Sequence, residues 1–380
     1  MEPSAEEPRE WTLKIHAAVD GGLICAIAAQ PTDTVCALRQ KLARRLGLQR
    51  RFRLLAGCCV LGGRMTLEEA SLCDGCTLQL VWLQHGHCFA TASTDTTAAL
   101  WSVETGERVQ LFEGHEDQVM WLCFSADGQL LATSSTDRTA KVWCADSGEC
   151  LTTLRGHKGP VFAVAFSPNG ASLASCSHDK QIKVWDLQGN ELLTLTGHSK
   201  QIFSVAWTPD GETLASSSDD ATIRLWHVAS QSCHKVIYGH TGAVYSVSIS
   251  NDSSRLVSAS EDCTAKIWCL DSEDGAPELS FVHEEWVRHA LFSPDGLKVI
   301  TSVSDNTAML WDALSGTPLL SFQGHNDWIR NASFSSDGLF VATASKDACA
   351  KVWRLDGECI MSVTAHNQWV RCVAFAPYSR

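Results

Sequence analysis

The chain has 380 residues, of which 45% are hydrophobic, and its formal net charge at pH 7 is −13. This length allows one to three domains with well-buried cores, and the acidic balance disfavours nucleic acid as a partner. No apolar run of about 18 residues occurs, so no membrane span is predicted, and the acidic N-terminus lacks the features of a secretory signal. We expect a cytoplasmic protein, with the nucleus as the alternative.

The 17 cysteines are odd in number and dispersed along the chain. They are predicted to act as small hydrophobic residues in a reducing compartment. One spacing resembles a zinc site, Cys73-x-x-Cys76 with Cys58 and Cys59 upstream. Adjacent cysteines cannot easily turn to one ion and no histidine lies nearby, so we predict neither a metal nor a cofactor.

Residues 1–9 form a polar lead that we expect to be disordered. Alternating apolar residues then predict strands over 11–17 and 23–29, joined by a turn at 20–22. A helix capped by Thr32-Asp33 should follow, because Val35, Leu38, Leu42 and Leu46 recur at helical spacing, and it should end at Gly47. Two further strands are predicted, over 52–56 and 77–83.

This order of elements carries the segments Arg53-Leu54-Leu55-Ala56-Gly57 and Gly63-Arg64-Met65-Thr66-Leu67, which lead into residues 76–81. It resembles a ubiquitin-like domain. The resemblance implies a small α+β (β-grasp) domain over residues 10–84, with an exposed apolar face around Leu54 that recruits a partner, unless Leu54 packs inside. No terminal Gly-Gly is present, because the chain continues through Gln84, so conjugation to other proteins is not expected.

Seven basic residues and no acidic residue fall between positions 39 and 53. The usual interpretation of such a run is a solvated helix face. The alternative is an anionic partner: the chain's own acidic remainder, nucleic acid or acidic lipid. The basic residues are Arg39, Lys41, Arg44, Arg45, Arg50, Arg51 and Arg53.

From residue 85 onwards the chain consists of copies of the stretch 114–143. A Trp recurs every 41 to 43 residues, an Asp precedes each Trp by six residues, and a His precedes each of six of these Asp by 22 residues. The Trp positions are 101, 143, 185, 226, 268, 311 and 353. The His positions are 115, 157, 198, 240, 283, 325 and 366.

A period just above 40, opened by Gly-His and closed by Trp, resembles the WD40 repeat. The resemblance implies four antiparallel strands per repeat and a seven-bladed β-propeller over residues 85–380. It also implies a buried network of His, hydroxyl, Asp and Trp. The hydroxyl is expected two residues before each Asp, at Ser93, Ser135, Ser177, Ser218, Ser260 and Ser345.

The repeat around Asp305 departs from this pattern, because Val303 replaces the hydroxyl and Val282 replaces the glycine before His283. We therefore expect this blade to be the weakest, with Ser302 as a partial substitute. The last repeat ends after its inner strand, predicted over 369–376, and the first repeat has no inner strand of its own. Both chain ends should therefore build the seventh blade, which would remove exposed sheet edges.

Two positions in each repeat are expected at the rim of the central channel, where WD40 proteins commonly bind partners. Five residues after each His stand Met120, Phe162, Phe203, Tyr245, Arg288, Arg330 and Arg371. Three residues after it, the last three repeats have Trp286, Trp328 and Trp369. Arg and Trp dominate binding hot spots, although these residues could instead be a packing habit of the repeat.

The recurring Ser, His and Asp could suggest a hydrolase, but the set repeats at structural spacing and no nucleophile-elbow motif is present. No phosphate loop or HExxH motif occurs either. We therefore predict a mostly β, non-catalytic scaffold or adaptor whose partners are other proteins, with acidic or phosphorylated segments as the candidate ligands. The alternatives are an anionic-ligand binder using residues 39–53 and, last, an enzyme.

Overall fold

The computed structural model describes residues 10–17, 22–46, 52–56, 59–61, 65–82, 87–272, 275–364 and 366–377. The lead over residues 1–9, predicted to be disordered, lies outside these ranges. The N-terminal elements are β1 (Trp11–Ala17), β2 (Leu23–Ala29), α1 (Val35–Leu46), β3 (Phe52–Ala56), β4 (Cys59–Val60) and β5 (Thr77–Trp82).

These strands form one sheet in the order β2-β1-β5-β3-β4, with β1 parallel to β5. Alternation along β1 turns Leu13 and Ile15 inward, where they form one core with the apolar residues of α1. Thr34 caps the helix, not Thr32-Asp33, because its Oγ1 accepts a hydrogen bond from the Ala37 N–H at 3.2 Å. Leu54 is 1% exposed in this core, so an exposed recognition face around Leu54 is excluded.

The remaining strands follow in chain order. They begin with β6 (Cys88–Ser93), β7 (Ala98–Ser102), β8 (Arg108–Phe112), β9 (Val119–Phe124), β10 (Leu130–Ser135), β11 (Thr139–Cys144) and β12 (Cys150–Arg155). Next come β13 (Val161–Phe166), β14 (Ser172–Ser177), β15 (Gln181–Asp186), β16 (Glu191–Thr196), β17 (Ile202–Trp207), β18 (Thr213–Ser218), β19 (Ile223–His227) and β20 (Ser232–Ile237). The series continues with β21 (Val244–Ile249), β22 (Arg255–Ser260), β23 (Thr264–Cys269), β24 (Pro277–Val282), β25 (Val287–Phe292), β26 (Lys298–Val303), β27 (Ala308–Asp312) and β28 (Pro318–Phe322). It ends with β29 (Ile329–Phe334), β30 (Phe340–Ser345), β31 (Ala350–Arg354), β32 (Cys359–Val363) and β33 (Val370–Phe375).

Seven four-stranded antiparallel sheets result, which we call blades 1 to 7. Blades 1 to 6 are β9–β12, β13–β16, β17–β20, β21–β24, β25–β28 and β29–β32, and blade 7 is β33-β6-β7-β8. In blade 7 the last strand pairs with the first of the ring, with Val370 opposite Ser93 and Phe375 opposite Phe89. Each inner strand contacts the inner strand of the next blade, including β33 with β9, so the blades close a ring.

Apolar side chains between neighbouring blades hold the ring together. Between blades 1 and 2, for example, Leu130 and Val142 share one buried cluster with Val164, Leu173 and Trp185. Both faces of each sheet are covered in this way, so the second strand of each blade is buried along nearly its whole length. Burial on this scale is the main favourable contribution to the stability of the ring.

A hydrogen-bonded relay fixes the loop that leads into the inner strand. In blade 1, Trp143 Nε1 donates to Thr133 Oγ1 at 2.8 Å, and the Thr133 hydroxyl lies 2.8 Å from His115 Nε2. His115 Nδ1 lies 2.7 Å from the Asp137 carboxylate, a pattern that assigns the ring proton to Nδ1. Burial disfavours the ionised Asp137, but hydrogen bonds from His115 and Thr139 outweigh it and hold the pKa of Asp137 below its ordinary value.

The relay hydroxyl stands four residues before the Asp, so the expected position two residues before it was wrong. The relay hydroxyls belong to Thr91, Thr133, Ser175, Ser216, Ser258, Thr301 and Thr343. Trp143 pairs with Leu131, which brings its indole closer to Thr133 than to Ser135 further along the strand. Ser135 instead accepts from the Asp137 N–H and donates to the Asp117 carbonyl, at 3.0 Å each.

Blade 5 lacks most of this relay. Trp311 Nε1 still donates to Thr301 Oγ1 at 2.9 Å, but His283 Nε2 is buried without a hydrogen-bond partner among the described residues. Burial lowers the pKa of His283 to about 4. The Ser302 hydroxyl is likewise buried without a partner in the described structure, so its expected role as a substitute was wrong. That blade 5 is the least stable remains a prediction.

The relay predicts unequal effects of one substitution in two blades. Thr133→Val leaves two buried groups without a hydrogen-bond partner, His115 Nε2 and Trp143 Nε1. Thr301→Val leaves one such group, Trp311 Nε1. Both threonines are fully buried. An unsatisfied buried polar group costs about 1–3 kcal/mol, so Thr133→Val should destabilise the protein more, by about 1 kcal/mol or more. Urea unfolding midpoints measure the difference; equal midpoints for the two variants would disprove the relay.

The closure of the ring predicts the effect of truncation. Deleting residues 367–380 removes β33 and leaves the buried β6 and the side of β9 exposed to solvent. We expect aggregation or loss of soluble protein, because unpaired strand edges recruit other chains. Thermal melting and light scattering measure this against a control chain that ends at Pro377 and keeps β33. A truncated protein that stays monomeric with an unchanged melting temperature would contradict closure by both ends.

Candidate functional site

The second residues of all seven inner strands meet in one pocket at the central axis. The pocket has a volume of about 110 Å³. Its lining consists of Met120, Trp121, Phe162, Phe203, Tyr245, Arg288, Arg330 and Arg371. The sequence series five residues after each His therefore converges in space, because equivalent positions of neighbouring blades face the same axis. Trp121 was missed.

Trp121 forms the floor of the pocket. Its ring centroid lies 5.4 Å from that of His289 on β25. Blades 1 and 5 are not neighbours in the ring, so the indole crosses the axis. His289 is buried with no partner for its Nδ1 in the described part of the chain, and burial lowers its pKa to about 4, which keeps the ring neutral.

The sequence does contain a signal for Trp121. Six residues after each repeat His, the other repeats have Ala, Ser, Ser, His, Asn and Cys, none of them as large as an indole. A single large residue among smaller equivalents facing one axis indicates a side chain that fills the channel.

One side of the pocket is aromatic. Phe162, Phe203 and Tyr245 come from three consecutive blades, with ring centroids 5.4 Å apart for the first pair and 5.3 Å for the second. Burial raises the pKa of Tyr245, so its phenol is neutral near pH 7. Such tilted ring pairs are a favourable packing geometry. We call these three rings the aromatic wall; they give one side of the pocket an apolar surface that a ligand can contact.

Arg288 is held by its neighbours at the boundary of the aromatic wall. Its guanidinium carbon lies 4.7 Å from the ring centroids of Tyr245 and Trp286 and 5.0 Å from that of Trp328. Its Nε also donates to Ser304 Oγ at 2.9 Å. Arg288 is 9% exposed, and it therefore fits a packing role better than a ligand-binding one.

Arg330 and Arg371 differ from Arg288. Both are half-buried, and neither side chain has a hydrogen bond or ion pair with any residue in the described ranges. Burial lowers the pKa of both, that of Arg371 to about 10, and repulsion among the three arginines adds to the effect. Guanidinium groups stay protonated near pH 7, and the lining contains no acidic residue, so the pocket carries uncompensated positive charge.

Beside the pocket lies a row of tryptophans on blades 5 to 7. Trp286 and Trp369 are 37% and 42% exposed, and the Trp328 centroid lies 6.4 Å from that of Trp286. The carbonyls of Trp286, Trp328 and Trp369 each accept a hydrogen bond from the backbone of the turn before the anchor Asp of the same blade. The three indoles are thus held on the face where the pocket opens.

The basic run does not form one exposed face. Arg39 is 4% exposed, donates to Gln129 Oε1 at 2.6 Å and lies 4.0 Å from an Asp146 carboxylate oxygen. It is therefore not a solvated residue: its partner is the ring itself. Lys41 pairs with Asp33 at 2.6 Å, and Arg45 is exposed. The side chains of Arg44, Arg50, Arg51 and Arg53 lie outside the description.

Cys73 and Cys76 lie with their sulfur atoms 3.2 Å apart. Within the described ranges, no group of three or more His, Cys, Asp or Glu side chains could hold a metal ion, and the side chains of Cys58 and Cys59 are not described. None of the described helices is long and apolar enough to cross a membrane.

Comparison with known proteins agrees with the fold. A search of curated proteins found no significant match. The family model described as WD domain, G-beta repeat matches seven segments that together cover more than half of the chain. They span residues 106–144, 148–186, 189–227, 231–269, 275–312, 316–354 and 357–380. The chain therefore belongs to the WD40 repeat family.

Proposed function

We propose that this protein is a non-catalytic scaffold that binds acidic or phosphorylated peptide segments of partner proteins in the central pocket. WD40 repeats generally mediate protein–protein interaction. The observation that carries the proposal is the pair Arg330 and Arg371, which line the pocket without a counter-charge among the described residues. A carboxylate or phosphate would supply that charge, since guanidinium groups bind both through paired N–H donors.

The parts of the pocket have separate roles in this proposal. Arg330 and Arg371 bind the anionic group, while Arg288 keeps the Tyr245 side of the pocket in place. The aromatic wall or the tryptophan row receives an apolar side chain of the same segment. Because Trp121 closes the floor, the pocket accepts a side chain or a chain end and not a strand passing through the ring.

The N-terminal part is proposed to be a ubiquitin-like domain over residues 10–84 that recruits a second partner, beside a propeller over 85–380. Its support is the sheet order with β1 and β5 parallel in the middle, and α1 packed against one side. Since Leu54 is buried, the exposed apolar residues Leu23 and Ile24 on β2 are the better contact candidates. The contact of Arg39 with Gln129 counts against an exposed anion-binding surface.

The pocket predicts how arginine variants behave. Replacing Arg330 or Arg371 by Ala should cost at least about 1 kcal/mol of affinity for the partner segment, because each removes a charge-assisted hydrogen bond. The fold should persist, since neither side chain is bonded to another described residue. Affinity purification and thermal melting of the Arg330→Ala, Arg371→Ala double variant measure both effects.

Arg108→Ala, at an exposed position on an outer strand, is the matched control. Unchanged partners together with a large loss of melting temperature in the double variant would show that Arg330 and Arg371 are structural. Loss of partners at an unchanged melting temperature supports the proposed site.

The ubiquitin-like domain is predicted to act without being conjugated. Its last described strand, β5, ends at Trp82, and no Gly-Gly follows before residue 85 for an activating enzyme to use. Incubation with ubiquitin-activating and ubiquitin-conjugating enzymes should give no adduct through this domain, as judged by mass spectrometry. A thioester or isopeptide product mapped to residues 77–86 would contradict the prediction.

A further inference from the structure

Lys346 stands out on the face where the pocket opens. Its ammonium nitrogen lies 4.6 Å from the ring centroid of Trp328 and 4.5 Å from that of Trp369, between two partly exposed indoles. This ammonium group has no hydrogen bond or ion pair with any described residue. Lys200, an exposed lysine on blade 3, is paired instead: its ammonium lies 3.5 Å from Asp219.

A groove of about 490 Å³ runs beside Lys346. Its lining includes Trp369 and the amide side chains of Gln118, Asn367 and Gln368, which suit the backbone of an extended peptide. The one acidic side chain in its lining is Asp347. That carboxylate already accepts hydrogen bonds from His325 and from the backbone of Asn326 and Cys349. The free charge in the described groove is therefore the lysine cation.

The groove and the central pocket are adjacent. Trp328 contacts one lining residue of each, because Arg288 Cζ lies 5.0 Å and Lys346 Nζ lies 4.6 Å from its ring centroid. A peptide that places one acidic group in the pocket can therefore extend past Trp328 towards Lys346.

We propose that Lys346 and its groove form a second acid-binding subsite, so that the partner segment carries two acidic side chains. This inference rests on the proposed function of the central pocket. The first acid binds Arg330 and Arg371 inside the pocket, and the second binds Lys346 at the rim. The indoles of Trp328 and Trp369 hold the lysine in place and exclude water from one side of the contact.

The charge of Lys346 should then affect which peptide segments bind more than it affects the stability of the protein. An exposed ion pair contributes little, so loss of the lysine charge should weaken binding of a doubly acidic segment by about twofold to fivefold. It should leave binding of a singly acidic segment unchanged. A purely structural lysine, whose stem merely fills the space between two indoles, would show no such difference between the two segments.

The test selects random dodecapeptides displayed on phage against the full chain, its Lys346→Gln variant and its Lys200→Gln variant. Glutamine keeps most of the stem and removes the charge, and Lys200→Gln controls for the loss of one lysine charge. We expect paired acidic residues with the full chain and with Lys200→Gln, and single acidic residues with Lys346→Gln. Thermal melting should be the same for all three proteins.

Three outcomes decide the matter. Paired acids selected by all three proteins, or single acids selected by all three, would overturn the second subsite and leave the central pocket intact. No enrichment of acidic residues by the full chain would overturn the proposed function, and the second subsite with it. Synthetic singly and doubly acidic versions of a selected peptide then give the fold-change in affinity by fluorescence polarisation.

Discussion

The pairing of β33 with β6 is the contact on which the rest of the structure depends. It joins the two ends of a ring in which every blade buries its faces against its neighbours. The central pocket takes its lining from all seven blades, including Arg371 on β33, and so exists only while the ring is closed. The stability of the ring and the geometry of the pocket are therefore coupled through one strand pairing.

The relay also helps to fix the position of the pocket residues. In the six blades that have it, the His is tied to the Asp of a tight turn, and the pocket residue follows the His by five positions. Blade 5 lacks the tie, and its pocket residue Arg288 is held by Ser304 and three aromatic rings instead. Departures from a repeat are expected at binding sites, because the requirements of function compete with structural regularity there. The departure in blade 5 lies at the candidate binding site.

Much of this could be predicted from the sequence because the anchors repeat. Strand bounds in blade 1, the shared pocket of the positions five residues after each His, and the seven repeats all follow from the period. The relay hydroxyl was misplaced because serines occupy both the position two residues and the position four residues before several Asp, and only the strand register separates them. The sequence left open whether Leu54 packs inside and whether the basic run contacts the chain's own acidic remainder, because each depends on what packs above it in three dimensions; Leu54 and Arg39 are both buried, and Arg39 contacts the ring.

Under the proposed function, the charge distribution would allow an acidic protein to select acidic ligands. Residues 85–380 contain 34 acidic and 20 basic residues, so the long-range field of the ring repels polyanions such as nucleic acid. Positive charge is nevertheless concentrated in Arg288, Arg330, Arg371 and Lys346, all on blades 5 to 7. A short segment can bring one or two acidic groups to these cations while the rest of its chain stays away from the acidic surface. Specificity then arises from the repulsion of long anions as much as from the attraction of the pocket.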